Sequence, residues 1–231
     1  MKSNQIFTFW EGRMPAYIRF CLSTWNFPYT VLNYKNLNDF TKLDIEAISR
    51  YPLPQVSDIV RAHVIRDHGG HWLDADTIVI GDRLPTENVI GDPDTRWCHT
   101  GICCGEKGDP FFTAWAAYQD GIIGNERTGW SMFVNDFTDP YIKAHEEVTI
   151  YDIRRCCPEL DAYVIWNDEI RYQNYYFRES RHLRDLPEGT EILALHNSWT
   201  PAAFKELPAH LVLFENCTMS NILREVNNAK K

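Results

Sequence analysis

The chain has 231 residues, of which 44% are apolar and 24% are charged, proportions that suit one globular domain with a sizeable core. Its net charge of −9 disfavours nucleic acid as a partner, because that binding needs a cationic surface. No apolar stretch reaches the roughly 18 residues of a membrane span, so no transmembrane segment is predicted. The N-terminus lacks the features of a signal peptide, so we expect a cytoplasmic protein and leave peripheral membrane attachment open.

In chain order, the first half alternates strand and helix patterns. They predict a strand at 5–10, a helix at 15–25, a strand at 29–33, helices at 44–50 and 55–68, strands at 77–80 and 102–104, and a helix at 109–119. Gly69-Gly70 is the expected end of the helix at 55–68. This alternation predicts an α/β layer fold.

The second half has weaker patterns. They predict a short helix at 128–137, strands at 148–153 and 192–196, and a terminal helix at 220–227. The chain also has seven cysteines, and the adjacent pairs Cys103-Cys104 and Cys156-Cys157 lack the CxxC spacing of zinc sites. We therefore expect reduced, structural thiols.

The most informative local feature is the acidic triplet Asp74-Ala75-Asp76, which follows a short apolar approach that begins at His71. Apolar residues on both sides place the triplet at the end of a strand. Two acids that are two residues apart point to the same side, where they can share one hard cation. By itself the triplet is a weak signal, because such triplets also occur in solvated turns.

A second acidic and basic pair lies upstream in Ser57-Asp58-Ile59-Val60-Arg61. Asp58 and Arg61 are three residues apart and therefore share one helical face. Near the start of the predicted helix they could meet a ligand at the mouth of the sheet. The alternative is that Ser57 caps the helix and that Asp58 and Arg61 form a surface ion pair.

Residues 57–61, followed by His68-Gly69-Gly70-His71-Trp72-Leu73-Asp74-Ala75-Asp76, resemble the SDxxRxxxLxxxGGxYxDxD core of DXD-type sugar transferases. That group includes capsular polysaccharide synthesis proteins, the mannosyltransferase relatives of glycosyltransferase family 32 and the clostridial glucosylating toxins. The chain is most similar to the capsular group. Three further segments agree in order: residues 6–12 with IHxxWxG, 103–111 with xGxxKGHPF and 196–199 with HxxxSW.

The resemblance implies a GT-A fold, in which a Rossmann-like mixed sheet is flanked by helices in a single domain over residues 1–231. It implies a nucleotide-sugar-binding half at about 1–105 and an acceptor-side half at about 106–231. Two departures concern Thr128-Gly129-Trp130, where relatives often have Thr-Gly-Pro, and the shortened motif at 196–199.

The resemblance also assigns roles to individual residues. The implied donor-binding residues are Trp10, Ser57, Asp58, Arg61, Asp74, Ser198 and Trp199. The implied ligands of Mn²⁺ or Mg²⁺ are Asp74, Asp76, His196 and Ser198. The implied catalytic residues are Asp76, Arg61 and Trp199.

In these roles Trp10 stacks on the nucleotide base, Asp58 accepts hydrogen bonds from sugar hydroxyls and Arg61 reaches the sugar or its phosphate. Asp74 contacts the ribose or a metal-bound water, and the Trp199 indole donates to the leaving oxygen. A core position is the alternative for Trp10. A buried structural position is the alternative for His196.

The implied function is that of a retaining, metal-dependent glycosyltransferase in surface polysaccharide synthesis. It would move a hexose from a nucleotide sugar, with UDP as the expected carrier, to a glycan or glycolipid. One alternative is a catalytically silent module that binds nucleotide sugars or glycans. The other is a haloacid dehalogenase-type phosphohydrolase, because Asp74-Ala75-Asp76-Thr77 superficially fits the DxDxT loop of those enzymes.

Overall fold

The computed structural model describes residues 5–125, 129–159 and 168–229. Within them the strands are β1 Ile6–Phe9, β2 Tyr29–Leu32, β3 Gly70–Leu73, β4 Ile78–Val79, β5 Val89–Asp92, β6 Trp97–Gly105, β7 Ile150–Asp152 and β8 Ile192–Leu193. The α-helices are α1 Ala16–Ser23, α2 Ile45–Ile48, α3 Leu53–His68, α4 Pro110–Ile122, α5 Asn135–Ala144, α6 Glu169–Gln173, α7 Ala202–Lys205, α8 Ala209–Val212 and α9 Thr218–Ala229. Short 3₁₀ or π-helical turns occupy Leu37–Asp39, Ile153–Arg155, Asn174–Arg178, Leu183–Asp185 and Asn197–Trp199.

Six of the described strands form one mixed sheet in the order β2-β1-β3-β6-β5-β7. β1 runs parallel to β2 and β3, β6 is antiparallel to β3 and β5, and β5 is parallel to β7. The carboxyl ends of β1, β2 and β3 therefore lie at one edge of the sheet, where Trp10 and Asp74 follow their strands. The predicted mixed α/β sheet flanked by helices is confirmed.

Helix α3 carries the SDxxR segment and packs against the sheet. It begins after Pro52, and Pro54 lies in its first turn, where a missing N–H costs nothing. It ends at Gly69, as predicted, but it starts two residues before the predicted position. Ser57 is consequently inside the helix, so the alternative in which Ser57 caps it is wrong.

The Gly-Gly pair is required by close backbone contacts at the amino end of β3. Gly69 has φ 67°, and a Cβ there would lie 2.5 Å from the backbone N of Lys107. Gly70 has φ 103°, and a Cβ there would lie 2.6 Å from the carbonyl O of Gln5. Gly108 N–H also donates to Arg66 O at 2.8 Å, which ties the β6–α4 loop to the end of α3. The pair thus fixes how β3 enters the sheet.

The described chain divides into two compact units. The first comprises the described parts of Met1–Gly12, Phe27–Asp74 and Pro85–Asp152, and it contains the six-stranded sheet with α2 to α5. The second comprises the described parts of Arg13–Asn26, Ala75–Leu84 and Ile153–Lys231. In the second unit β4 and β8 form an antiparallel pair, accompanied by α1 and α6 to α9.

The structure differs from the sequence predictions at several elements. The predicted helix at 128–137 is wrong for residues 129–134, which precede α5, and residue 128 lies outside the described residues. Strand β5 and helices α6, α7 and α8 were not predicted, and β8 ends at Leu193 instead of continuing to 196. Most of the remaining predicted elements are present with shifted ends. In the described ranges, no helix has the length and apolar character needed to cross a membrane.

Candidate functional site

The centre of the first unit's polar cluster is the guanidinium of Arg61, which is buried at 4% exposure on α3. Its Nη2 donates to Asp74 Oδ1 at 2.8 Å, and its Nη1 lies 3.3 Å from Asp58 Oδ1. Nη1 also donates to the hydroxyl of Thr100 on β6. A buried charge needs such partners, and Arg61 joins the helix, the end of β3 and β6 through them. The predicted shared face of Asp58 and Arg61 is confirmed.

Asp74 is held by both backbone and side-chain contacts directly after β3. Its N–H donates to Gly101 O at 2.7 Å, and its Oδ1 accepts a second hydrogen bond from Trp72 Nε1 at 2.8 Å. Trp72 and Asp74 are two residues apart and share one face of the strand. The guanidinium carbon of Arg61 lies 5.2 Å from the centroid of the Trp72 ring, within the range of a cation–π contact. The hydrogen bonds from Arg61 and from Trp72 both end on Oδ1 of Asp74, so Oδ2 is the oxygen available to a ligand.

Gly101 provides the space beside that second oxygen. A Cβ at this position would lie 2.8 Å from Asp74 Oδ2 and 2.6 Å from His99 Cε1. Gly101 N–H donates to His99 Nδ1 at 3.2 Å, which places the proton of the neutral ring on Nε2. A larger residue at 101 would therefore displace the Asp74 carboxylate or the His99 ring.

Burial gives this cluster unusual proton affinities. It raises the pKa of Asp58 to about 7, with Arg61 opposing the shift and Asp74 adding to it. Burial lowers the pKa of Arg61, but Asp74 and Asp58 outweigh this and hold it above its ordinary value. Burial, together with the charge of Arg61, lowers the pKa of His99 to about 3. Near neutral pH the cluster thus contains a fixed cation, a neutral imidazole and a carboxyl that can take up a proton.

In the second unit, Asp76 is buried at 7% exposure and is fastened to the turn at Asn197–Trp199. Asn197 N–H donates to Asp76 Oδ2 at 2.6 Å, and the buried Tyr17 hydroxyl donates to Asn197 Oδ1. Burial raises the pKa of Tyr17, and the Asp76 carboxylate raises it further. The Tyr17 hydroxyl therefore stays protonated and donates to Asn197. The backbone N–H of Asn197 in turn orients Asp76.

A closed ring of hydrogen bonds fixes the same turn to α6. His196 N–H donates to the Tyr172 hydroxyl at 3.2 Å, and Tyr172 donates to Thr200 Oγ1 at 3.3 Å. Thr200 Oγ1 donates to His196 O at 3.1 Å, which completes the ring. The centroids of the His196 and Trp199 rings are 4.1 Å apart, and Gln173 Nε2 donates to Trp199 O at 3.1 Å. The orientation of Trp199 therefore depends on α6.

The remaining predicted residues have looser connections. Trp10 follows β1 at the same sheet edge as Asp74, and its indole Nε1 is buried without a partner among the described residues. Ser57 is half-buried on α3, and Ser198 is exposed on the turn. None of the hydrogen bonds between described side chains links Trp10 or Ser57 to Arg61.

The structure also adds residues that sequence reasoning missed, namely Trp72 as a donor, Thr100, Gly101, Asn197 and Tyr17. Only their proximity in the fold identifies them. The hydroxyl, glycine and amide involved have no distinctive spacing in the chain.

The implied divalent ion is compatible with the acidic side chains present. One residue separates Asp74 from Asp76, so chain geometry keeps their Cα atoms within about 7 Å. In the part of the chain that the structure describes, no three His, Cys, Asp or Glu side chains group so that they could hold a metal ion. Mg²⁺ is commonly held by one or two carboxylates, water and the phosphates of the substrate. Two aspartates fit an ion of that kind.

The family model described as "Capsular polysaccharide synthesis protein" matches residues 1–153, which include Trp10, Ser57, Asp58, Arg61 and the acidic pair. The chain belongs to the capsular polysaccharide synthesis protein family. The resemblance expected from residues 57–76 is therefore confirmed. The turn at 196–199 lies outside the residues that match this family, so its assigned roles stay predictions.

Two other comparisons add little to the family assignment. Among solved structures, the chain is similar to one named "PaToxG Glycosyltransferase", at 16% identity over 61% of this chain and 67% of that one, with a TM-score of 0.41. This likeness is too slight to extend that protein's activity to this family member. No curated protein matches the sequence.

Proposed function

We propose that this chain is a retaining, metal-dependent glycosyltransferase of GT-A type that transfers a hexose from a UDP-sugar to a glycan or glycolipid. The reaction would serve surface polysaccharide synthesis in the cytoplasm. The main support is the buried Arg61 held between Asp58 and Asp74 at the carboxyl edge of β1 to β3. Ligands of open α/β sheets usually bind at this edge.

The paired carboxylates would position the donor sugar and the nucleotide. Asp58 accepts hydrogen bonds from sugar hydroxyls in its ionised form, and the planar guanidinium of Arg61 is suited to a hydroxyl or a phosphate oxygen. Asp74 presents Oδ2 to the ribose while Oδ1 stays bonded to Arg61 and Trp72. Trp10, at the same edge, would stack on the base.

Asp76, with Asp74, would hold Mn²⁺ or Mg²⁺ together with water and the phosphates of the donor, and Ser198 would be a further oxygen ligand. When bound, such an ion supplies positive charge that stabilises the departing nucleoside diphosphate. Asn197 N–H keeps Asp76 in one orientation through Oδ2. Trp199 would donate its indole N–H to the leaving oxygen from the turn that Tyr172 and Gln173 hold.

Retention follows from attack on the face that the diphosphate leaves. The new C–O bond forms from the acceptor hydroxyl as the bond to the diphosphate breaks. The hydroxyl proton passes to a leaving phosphate oxygen. Asp58, Arg61 and Trp199 then contribute orientation and charge stabilisation without a covalent intermediate.

A thermal-shift panel tests the proposal with UDP, GDP, UDP-glucose, UDP-galactose, UDP-N-acetylglucosamine and GDP-mannose, each with and without Mn²⁺. We expect one carrier to raise the Tm by several degrees only when Mn²⁺ is present, because the cation would offset the negative charge of the diphosphate and the aspartates. The best donor is then incubated with acceptor sugars, and Asp76→Asn should retain its fold and lose transfer. Equal turnover by wild type and Asp76→Asn would sink the proposal.

The same materials separate the alternatives. A silent binding module would show the metal-dependent Tm shift but neither donor hydrolysis nor transfer to any acceptor. A haloacid dehalogenase-type phosphohydrolase would form a trappable aspartyl-phosphate at Asp74.

A further inference from the structure

The segment at residues 129–134, between α4 and α5, carries an unusually exposed tryptophan on a well-anchored backbone. We call it the Trp130 loop. Trp130 is 73% exposed, so its ring adds little to the core. Gln55 Nε2 donates to Gly129 O at 3.0 Å, and Met132 N–H donates to the same oxygen at 3.3 Å. The exposed ring is therefore presented from a fixed base.

The other end of the loop is fixed just as firmly. Phe133 O accepts hydrogen bonds from Trp115 Nε1 at 2.7 Å and from Gln119 Nε2 at 2.8 Å, and both donors lie on α4. A flexible, solvated loop would expose this carbonyl to water, whereas Phe133 O accepts from two buried side chains. These bonds instead fit a loop that must keep one conformation.

The loop runs beside the turn of α3 that carries Asp58. Gln119 Nε2 also donates to Asp58 O at 3.0 Å, so one amide group joins the loop to that residue. Gln55, which holds the start of the loop, lies one helical turn before Asp58. The backbone of the Trp130 loop is thus tied to the turn of α3 that carries Asp58, the residue that we assign to the donor sugar.

We propose that Trp130 is the platform for the acceptor sugar, with the C–H face of a pyranose ring stacked on its exposed indole. A hexose has apolar C–H faces, and an exposed indole on a fixed backbone matches such a face. The inference rests on the proposed transferase function. It assigns a carbohydrate acceptor to the Trp130 loop and makes Trp130 a determinant of acceptor specificity.

The test compares Trp130→Ala, Trp130→Phe and the control Phe214→Ala with the wild type. Phe214 is a matched control because it is a 78% exposed aromatic residue of the second unit. The donor found by the thermal-shift panel is used with methyl α- and β-hexopyranosides as acceptors. Donor hydrolysis without acceptor is measured in parallel, because it needs the donor site alone.

We expect Trp130→Ala to raise the KM for the acceptor at least fivefold, while the KM for the donor and the rate of donor hydrolysis stay within twofold. Trp130→Phe should recover most of the loss, and Phe214→Ala should match the wild type. An acceptor KM in Trp130→Ala equal to that of Phe214→Ala overturns the inference while leaving the proposed function intact. Equal increases in the KM for the donor and the KM for the acceptor in Trp130→Ala also overturn it.

A second measurement keeps the inference testable if the wild type neither hydrolyses nor transfers any donor, which would refute the proposed function. Saturation-transfer NMR then follows binding of the same methyl hexopyranosides to the four proteins. Loss of the sugar signal in Trp130→Ala but not in Phe214→Ala supports a carbohydrate platform. Equal signals in both variants exclude it.

Discussion

At the scale of single residues, the candidate site is organised by sharing one buried cation between two acids. Arg61 can meet Asp58, Asp74 and Thr100 together because its guanidinium has several donors in one plane. A lysine would offer a compact charge without that fork. Removing a partner from such a buried group costs far more than breaking an exposed ion pair.

The carboxyl of Asp58 makes stability depend on pH. Its folded pKa of about 7 lies above its ordinary value, so the folded state binds the proton more tightly than the unfolded state. The resulting stabilisation is complete below the unfolded pKa and is lost as the pH rises through about 7. Asp58→Asn removes an acidic partner of Arg61 at every pH, but its stability relative to the wild type should rise by on the order of 2 kcal/mol between pH 5 and pH 8.

Urea unfolding of both proteins at pH 5, 6, 7 and 8 measures that difference. The exposed Asp94→Asn is the control for the same chemical change at the protein surface. A stability difference between Asp58→Asn and wild type that stays constant across these values would contradict the pKa of about 7. The variant should also lose donor binding at every pH if Asp58 contacts the sugar.

The sequence predicted one part of this cluster well and could not predict another. Asp58 and Arg61 are three residues apart on a long helix, so their contact follows from helical geometry. Thr100 and Gly101 approach Asp74 only because β6 pairs antiparallel with β3. Such contacts depend on long-range strand pairing, which local patterns do not record.

At the scale of elements, the turn at Asn197–Trp199 is held by two buried tyrosines, Tyr17 and Tyr172. Tyr172→Phe should lower the free energy of unfolding by about 1–3 kcal/mol, because it leaves His196 N–H without its acceptor. It should also raise the KM for the donor, since Trp199 is oriented through the same contacts. Urea unfolding and donor saturation curves measure the two effects.

Tyr51→Phe is the control for that prediction, because its buried ring also carries a hydrogen-bonded hydroxyl, which accepts from Gly124 N–H at 2.8 Å in the first unit. Tyr51→Phe should lose stability without changing the KM for the donor. A Tyr172→Phe protein with unchanged donor kinetics would show that the ring of hydrogen bonds is structural alone.

The misplaced helix at 128–137 illustrates how tertiary contacts override a local pattern. Phe133 O is taken by Trp115 and Gln119, and Gly129 O is taken by Gln55, so these carbonyls serve side chains of other helices. Helix α5 then begins at Asn135 and accommodates Pro140 inside it. By contrast, α3 followed its predicted pattern because its own apolar face and Gly69 define it.

At the scale of the whole molecule, the alternation of strands and helices was sufficient to predict an α/β layer fold, and the family resemblance implied its mixed sheet. The pattern did not reveal β5, a four-residue strand that pairs with β6, the next element along the chain, and with β7, which follows much later. Short strands of this kind gain their stability from pairing and not from their own sequence.

The cysteines give a prediction for the entire chain. All seven are free, as expected, and all are buried, and burial raises the pKa of Cys98 to about 12. The folded protein should therefore react with hardly any equivalents of a thiol reagent at pH 7, and all seven should react in denaturant. Absorbance from a disulfide-exchange dye counts them, and rapid reaction in native buffer would contradict the burial.

The glycine pair at the start of β3 has a consequence at the opposite end of that strand. β3 has only four residues, so a push on Gly69 or Gly70 from an added methyl group cannot be absorbed before the chain reaches Asp74. The shift would move the carboxylate away from a guanidinium that it meets at 2.8 Å. Gly69 and Gly70, which have no reactive side chains, thereby determine the position of Asp74, the acid that is proposed to face the ligand.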